Sequence, residues 1–167
     1  MKRIAFLLLA ISAIMLSGCK KDTETLLIRD IAPVTVSIMV TDAQRHNLLN
    51  PQASGALEVS KIKALYQGQE YVCNENQLTS KAILPRFYGL KIEQNGCGGP
   101  YLLRFGELNG AQSYTNEPVT IIWPDGSSDL ISFNRTLKKK PNGDLEIKDT
   151  WFLNGSEVSG EIVEIIK

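Results

Sequence analysis

The sequence predicts an all-β protein, built as a single β-sandwich of roughly seven to eight strands with Greek-key connections. Three observations lead to this fold class. Apolar and polar residues alternate with a period of two in several segments, most regularly in Val34–Thr41. Turn-forming residues separate these segments at the short intervals that are typical of sandwich proteins. Beyond residue 31, no segment shows the helical apolar period of an ordinary amphipathic helix.

The first predicted strand leads into an ordered turn. Val34–Thr41 places its apolar side chains on one face, which should point to the core. Asp42 can cap a single helical turn that closes at Asn50-Pro51. The apolar pair Leu48-Leu49 within this turn should pack under the sheet.

A second strand region starts at Leu57 and Val59, where the apolar phase then slips by one residue. Such a slip would turn every following side chain to the other face, so we expect a bulge or break near Ser60-Lys61. Gln67-Gly68-Gln69 predicts a hairpin turn, and Glu70–Cys73 predicts the return strand.

The remaining strands follow from alternation and from β-branched content. They are Ala82–Glu93 (interrupted at Pro85), Tyr101–Phe105, Val119–Trp123, Asp129–Phe133, the strand of Leu145, Ile147, Trp151 and Leu153, and Val158–Ile166. Pro124–Ser128 marks the clearest long hairpin, and Pro141–Asp144 a second turn. Asn154-Gly155 is typical of a type I′ turn.

The amino terminus has the features of an export leader. Lys2 and Arg3 precede the apolar run Ile4–Met15, which is shorter than the about 20 residues that span a bilayer. The small pair Ser17-Gly18 then runs directly into Cys19. This arrangement resembles the lipobox of bacterial lipoprotein signals, in which a peptidase cuts before the cysteine and the thiol carries diacylglycerol. The alternative is an ordinary signal peptide followed by a chance cysteine.

The lipoprotein resemblance divides the chain into three parts: a signal peptide at 1–18, a flexible tether at 19–31 and a β-sandwich domain at 32–167. It also implies two or three acyl chains on Cys19, which would anchor the protein stably in the lipid bilayer of the outer membrane. The polar stretch Lys20–Thr25 is similar to export tags of surface lipoproteins in some Gram-negative bacteria. A solvated linker explains it equally well, so the periplasmic side and the cell surface both stay open.

Composition excludes one class of partner. The chain has 18 basic and 18 acidic residues, and removal of the leader with Lys2 and Arg3 leaves a net charge of −2. Nucleic acid binding needs a basic surface, so we expect no nucleic acid partner. The 149 residues that follow the leader suit one domain with a real core.

Two cysteines remain besides the lipidated one. Cys73 and Cys97 form an even pair in an exported chain, so a disulfide between them is the favoured interpretation. The alternative is two free thiols, one in a strand and one in the loop Asn95–Pro100.

The segment Val34–Tyr71 resembles the start of carboxypeptidase-regulatory and transthyretin-like sandwiches. The likeness rests on Val36-x-Ile38-x-Val40-Thr41-Asp42 and on Leu48-Leu49-Asn50-Pro51. The glycine that usually follows the aspartate is missing, and Ala43–His46 stands in its place. An immunoglobulin-like or transthyretin-like sandwich is therefore the expected architecture. The whole chain also resembles small lipoproteins of gut-dwelling Gram-negative bacteria, a group that implies an envelope location and no particular activity.

The residues do not predict catalysis or a metal site. His46 is the single histidine, so any Ser-His-Asp or Cys-His triad must include it, yet it lies in a polar turn without a nucleophile motif. Zinc ligation by His46, Cys73 and Cys97 lacks the short paired spacing of zinc sites. Asp125–Asp129 does not meet the EF-hand calcium pattern and is better explained as a hairpin tip. We therefore expect no metal, no cofactor and no enzyme activity.

Aromatic residues are the best candidates for ligand contacts, because their flat faces can stack on sugar rings. The candidates are Trp123, Tyr88, Tyr101 and Tyr114. Trp123 is also in phase with Val119 and Ile121 at a hairpin end, which favours a place in the core or at its rim. Trp151 shares a face with Leu145, Ile147 and Leu153, which predicts a place in the core.

These observations together predict a membrane-anchored envelope lipoprotein that acts as a non-catalytic binding module for a glycan or an envelope protein. A structural or assembly accessory of a surface fibre or outer-membrane complex is the alternative. A small hydrolase is a third hypothesis.

Overall fold

The alternating sequence forms two β-sheets that face each other. The computed structural model describes residues 31–74 and 87–167. In these ranges the strands are β1 (Val34–Thr41), β2 (Lys63–Tyr66), β3 (Gln69–Val72), β4 (Leu90–Gln94), β5 (Tyr101–Leu108), β6 (Tyr114–Ile122), β7 (Ser128–Lys139), β8 (Leu145–Leu153), β9 (Ser156–Val158) and β10 (Ile162–Ile166). The predicted all-β sandwich is confirmed, with ten strands in the described ranges instead of seven to eight.

The four-stranded sheet has the order β10-β1-β5-β4. β5 runs antiparallel to both of its neighbours, whereas β1 and β10 are parallel. In this parallel pair Ser37 lies beside Ile162 and Thr41 lies beside Ile166. The backbone N–H of Lys167 also donates to the Thr41 carbonyl at 2.8 Å. The first and last strands of the described body are therefore neighbours.

The six-stranded sheet has the order β3-β2-β6-β7-β8-β9, and all of its pairs are antiparallel. Two-residue turns, Gln67-Gly68 and Asn154-Gly155, join β2 to β3 and β8 to β9. Both residues of each turn have positive φ, between 49° and 84°. Type I′ turns have this geometry because it matches the twist of the flanking strands, so the turn predicted at Asn154-Gly155 is confirmed.

Side chains from the two inner faces form one apolar core. Fully buried members from both sheets include Val36, Ile38, Leu103, Phe105, Ile121, Ile131 and Phe133. The predicted pair Leu48-Leu49 packs into this core, at 7% and 1% exposure. Asp42 forms a turn and not a helix, with its Oδ1 accepting the N–H groups of Gln44 and His46 at 2.9 and 2.8 Å.

An aromatic cluster fills one end of the core. Phe105 is completely buried on β5, and three rings contact its ring at its edges or face. Tyr66, Tyr71 and Phe87 lie with centroids 5.3, 5.4 and 5.3 Å from it, at steep interplanar angles. Such edge-to-face geometry is favoured by the charge distribution of aromatic rings.

The strand predicted to begin at Leu57 starts later. Val59–Lys61 forms a single 3₁₀ turn, and the strand begins only at Lys63. The Ile62 N–H donates to the Val59 carbonyl at 3.0 Å, which turns the chain so that both side chains pack on the core. The predicted break near Ser60-Lys61 is confirmed, and its cause is this turn.

The single strand predicted for Val158–Ile166 is wrong. β9 ends at Val158 in the six-stranded sheet, and β10 begins at Ile162 in the four-stranded sheet. Gly160 lies between them with φ of 86°, a backbone conformation that residues with a Cβ rarely adopt. The chain crosses from one sheet to the other at this glycine.

Residues 31–167 form one compact unit. Four sequence predictions lie wholly or partly outside the described residues: the signal peptide, Cys19, the tether up to residue 30, and the interruption at Pro85. Within the described ranges, no helix has the length and hydropathy needed to cross a bilayer.

Candidate interaction site

Two of the four aromatic residues predicted to contact a ligand lie in the core. Trp123 is 2% exposed, and its Nε1–H donates to Asp129 Oδ2 at 2.7 Å. Tyr114 is also buried, and its hydroxyl donates to the Asn109 carbonyl at 3.1 Å. Neither residue presents a ring face to solvent.

The other two, Tyr88 and Tyr101, lie on opposite faces of the four-stranded sheet. Tyr101 packs against the core. Tyr88 is hydrogen bonded to Thr35. Thr35 alternates with the core residues of β1, so it faces away from the core. Lys91 Nζ lies 3.9 Å from the centroid of the Tyr88 ring. Burial raises the pKa of Tyr88 to about 12, so its hydroxyl keeps its proton at neutral pH. The structure does not bring the four aromatic residues together on one surface.

Asp129 holds the end of the hairpin next to Trp123. Besides the indole bond, its Oδ1 accepts the Asn154 side-chain amide at 2.8 Å, and Lys167 Nζ lies 2.9 Å from its Oδ2. Burial alone would raise the pKa of Asp129, but the bonds from Asn154, Lys167 and Trp123 outweigh it and the net pKa is lowered. A carboxyl group with a lowered pKa in the folded state stabilises the fold above its unfolded pKa. That contribution is lost as pH falls through the folded pKa.

We therefore expect Asp129→Asn to lower the free energy of unfolding at pH 7 by about 1.5–3 kcal/mol, the usual contribution of hydrogen bonds to a charged group. The difference from wild type should shrink as the pH falls below about 4, because the carboxyl group then takes up a proton in the unfolded state and, at lower pH, also in the folded state. Urea unfolding at pH 7 and pH 3 measures both values. The exposed Glu157 supplies a control, since Glu157→Gln should change stability by less than about 0.5 kcal/mol at either pH. A difference at Asp129 that is the same at both pH values would contradict this account.

The predicted disulfide is absent, and Cys73 and Cys97 are free thiols. Cys73 is buried next to the start of β4, where the following residue, Asn74, donates its N–H to the Leu90 carbonyl at 2.9 Å. Cys97 is exposed in the loop beyond the other end of β4. A strand rises about 3.4 Å per residue, so β4 separates the two thiols by more than the about 7 Å limit on Cα atoms of a disulfide. Burial raises the pKa of the Cys73 thiol to about 12.

The single histidine lies in an exposed turn. His46 Nδ1 is 2.8 Å from Asp42 Oδ2, and the imidazole side chain is 69% exposed. The main-chain N–H of His46 is also bound to Asp42. This pair orders the turn after β1. Among the described residues, no group of three or more histidines, cysteines and carboxylates is placed to hold a metal ion.

β8 has an open edge along much of its length. β7 pairs with all of β8, from Leu145 to Leu153, whereas β9 pairs only with Trp151–Leu153. No other described strand pairs with β8. Residues 145–150 therefore present a strand edge that no other described residue pairs with.

The backbone groups that face this open edge follow from the ladder. Lys140 N–H donates to the Asp144 carbonyl at 2.7 Å, and bonded and non-bonded pairs alternate from there along β7 and β8. The two-residue turn after Leu153 gives the same alternation. Leu153 and Ser156 close this turn and form a hydrogen-bonded pair, so the N–H and C=O groups of Leu153 point to β9. The residues bonded to β7 are Glu146, Lys148 and Thr150. The residues whose N–H and C=O groups point to the open edge are Leu145, Ile147 and Asp149.

The side chains along the edge are apolar on one face and charged on the other. Ile147 is 41% exposed, although it lies on the same face as the buried Trp151. Glu146 and Lys148 lie on the opposite face and are exposed. An unpaired strand edge offers its backbone N–H and C=O groups to another chain, and Ile147 adds apolar surface beside them.

A buried ion pair fixes the end of this edge. Arg135 is 7% exposed, and its Nε and Nη2 donate to the two carboxylate oxygens of Asp149 at 2.8 and 2.7 Å. Its Nη1 donates to the carbonyls of Ala32 and Gly110 at 3.2 and 3.1 Å. A Cβ at Gly110 would collide with the Ala32 carbonyl, so glycine is needed for this close approach. Arg135 thus links β7, β8 and the segment before β1.

A cleft of about 540 Å³ lies beside the open edge. Its floor is residues 147–151 of β8, and its wall is residues 157–161, where the chain leaves β9 for β10. A second cavity of about 380 Å³ shares Asp149, Trp151 and Glu161 with it. The Trp151 Nε1–H is buried and has no partner among the described residues. Within the described part of the chain, both cavities border β8 on the side of its open edge.

This arrangement suits strand addition. An extended segment can pair with residues 145–150 in the line of β9, and main-chain hydrogen bonds then supply the affinity. Side chains of the added segment would meet Ile147 on one face and the charged pair Glu146 and Lys148 on the other.

The sequence pattern does not predict this edge. Ile147 is in phase with Trp151, for which the pattern predicts a place in the core. One signal was available: only three residues, Ser156–Val158, separate the hairpin at Asn154-Gly155 from Ser159-Gly160. A return strand of that length is too short to cover β8.

Comparison of the chain with protein-family models, with curated proteins and with solved structures finds no significant match.

Proposed function

We propose that the protein is a non-catalytic interaction module, anchored in the outer membrane through an acylated Cys19, that binds an extended segment of a polypeptide along the open edge of β8. The single observation that supports this function best is the unpaired backbone of residues 145–150 beside a cleft of about 540 Å³. The bound segment carries an apolar residue opposite Ile147 and charges complementary to Glu146 and Lys148.

A protein partner is better supported than a glycan. Glycan binding was predicted from Trp123, Tyr88, Tyr101 and Tyr114, and of these Trp123 and Tyr114 are buried. Tyr101 is half-buried against the core, and Tyr88 is half-buried under Lys91. Stacking on a sugar needs an open ring face. Strand addition needs an unpaired edge, which β8 supplies. The alternative role predicted from the sequence, an assembly accessory of a fibre or membrane complex, would use the same edge.

Photo-crosslinking at the edge tests the proposal. A photoreactive phenylalanine derivative replaces Thr150 in the full-length protein, in the membranes of the cells that produce it. We expect a discrete polypeptide adduct at this position. We also expect Ile147→Pro to abolish it, because proline removes an N–H that faces the open edge and no bond to β7.

Two controls define the outcome. The same derivative at Glu70, on the opposite edge strand of the six-stranded sheet, should give no adduct that depends on Ile147. Lys148→Pro removes an N–H bonded to β7 and should lower the thermal stability, whereas Ile147→Pro should leave the melting temperature nearly unchanged. Absence of an adduct at residue 150, or an adduct that survives Ile147→Pro in a folded protein, would overturn the proposal.

A further inference from the structure

We infer that the segment accepted by β8 is β8 of a second copy of this chain, and that the two copies form a symmetric antiparallel dimer centred on Ile147. This inference rests on the proposed function and adds the identity of the partner. It follows from the self-complementarity of the edge Leu145–Thr150 in hydrogen bonding, in charge and in shape.

The backbone selects a small set of registers. The groups that face the open edge belong to every second residue, Leu145, Ile147 and Asp149. In an antiparallel pair centred on Ile147, Ile147 faces its own copy, and Leu145 faces Asp149 of the second copy. All three positions then form hydrogen-bonded pairs, and the unpaired N–H and C=O groups of both edges are satisfied.

The charges select one register from that set. With Ile147 at the centre, Glu146 of each copy lies directly opposite Lys148 of the other. These are non-hydrogen-bonded pairs, in which opposing side chains approach most closely, so two ion pairs form. Registers centred on Glu146 or on Lys148 preserve the backbone bonding but place like charges opposite each other. A register centred on Asp149 would place Ile147 against Trp151, whose edge β9 already occupies.

Shape and symmetry agree with this register. Ile147, exposed to 41%, covers its own copy at the two-fold axis, which removes apolar surface from water. The cleft beside residues 147–151 leaves room for the incoming strand. Because both copies use the same edge, the interface is closed at two copies and does not extend into a fibre.

Charge exchange tests the register in the full-length protein, by mass photometry in detergent micelles and by crosslinking in membranes. Glu146→Lys and Lys148→Glu should each lose the dimer, because each places like charges opposite each other twice. The double variant Glu146→Lys/Lys148→Glu should restore it. The exposed pair Lys63 and Glu70, whose charged atoms lie 2.9 Å apart on β2 and β3, supplies a matched control. Exchanging those two residues should leave the dimer unchanged.

Engineered thiols locate the axis independently. In a Cys97→Ser background, Ile147→Cys should form a disulfide-linked dimer under mild oxidation, because Cα atoms of a hydrogen-bonded pair lie about 5.5 Å apart. Glu146→Cys should not form such a disulfide. In this register residue 146 of one copy faces residue 148 of the other, so the two residues 146 are diagonal neighbours about 7–8 Å or more apart. A crosslink at residue 146 in place of 147, or a dimer insensitive to charge reversal, would overturn the register.

The outcomes separate the inference from the proposed function. A monomer in all assays, together with an Ile147→Pro-sensitive adduct of a different mass at residue 150, overturns the dimer and retains the interaction module. A monomer without any such adduct overturns both. An adduct of twice the chain mass that follows the charge-exchange pattern supports both.

Discussion

Replacing Arg135 with alanine should lower the free energy of unfolding by about 3–5 kcal/mol, the cost of removing one partner of a buried ion pair. The guanidinium makes four hydrogen bonds, two to Asp149 and one each to the carbonyls of Ala32 and Gly110. Alanine leaves a largely buried carboxylate and two carbonyls without donors, and each unsatisfied group keeps its desolvation cost. The side chain is also 8% exposed, so solvent screens the loss very little.

Urea unfolding of the wild type and three variants measures this effect. The free energy of unfolding of Arg135→Lys should lie between those of wild type and Arg135→Ala, because an ammonium group keeps the charge but cannot make the two parallel hydrogen bonds of a guanidinium. The double variant Arg135→Met/Asp149→Leu should recover much of the loss, since it leaves no buried charge unpaired. If Arg135→Ala unfolds within about 1 kcal/mol of wild type, the ion pair does not hold β7, β8 and the start of β1 together.

Phe105→Ala should lower the free energy of unfolding by a similar amount, about 3–5 kcal/mol, because it opens a cavity in the core. Phe105 is fully buried and contacts the rings of Tyr66, Tyr71 and Phe87. Those rings come from β2, β3 and the segment before β4, so the surrounding structure can close the cavity only in part. The lost transfer free energy and the lost ring contacts then add.

The matched control for this prediction is Leu65→Ala. Leu65 lies on β2 next to the buried Tyr66 but points outward, at 39% exposure. Its truncation should change stability by about 0.5 kcal/mol or less. The loss of stability for Phe105→Leu should lie between those for Phe105→Ala and Leu65→Ala, because leucine refills most of the volume of the phenylalanine ring. Equal losses for Phe105→Ala and Leu65→Ala would show that the aromatic cluster is not the main packing unit of this end of the core.

The sequence predicted the local features of the fold well. The alternation in Val34–Thr41 predicted β1 to the residue, because one face of that strand is completely buried and the period of two is therefore visible. Asn154-Gly155 predicted its turn, because its positive φ values are rarely available to other residue pairs. β7 extends to Lys139, well beyond the predicted end at Phe133. The second half of β7 carries mainly polar side chains, so the apolar pattern does not reveal it. Pairing with β8 keeps this half extended.

The sequence predicted the candidate site poorly. The phase of Trp123 with Val119 and Ile121 favoured the core or its rim, and Trp123 is buried. Tyr114 was chosen as an aromatic residue near a polar loop, but its burial depends on which strands lie above it, and that is a long-range property. The open edge of β8 is equally non-local, since it exists only because β9 stops at Val158 and the chain crosses to the other sheet. A side chain such as Ile147 looks like a core residue in any purely periodic analysis.

The parallel pairing of β1 with β10 sets the order of events when the protein forms. β1 has β5 on one side and β10 on the other, so the four-stranded sheet is complete only when Ile162–Ile166 has arrived. Joining strands from opposite ends of a chain requires a large loop to close before the contacts repay its entropy, which slows folding. Until then β1 lacks one of its two neighbouring strands. The four-stranded sheet is therefore complete only after β10 has paired with β1, which makes β10 the closing strand of that sheet.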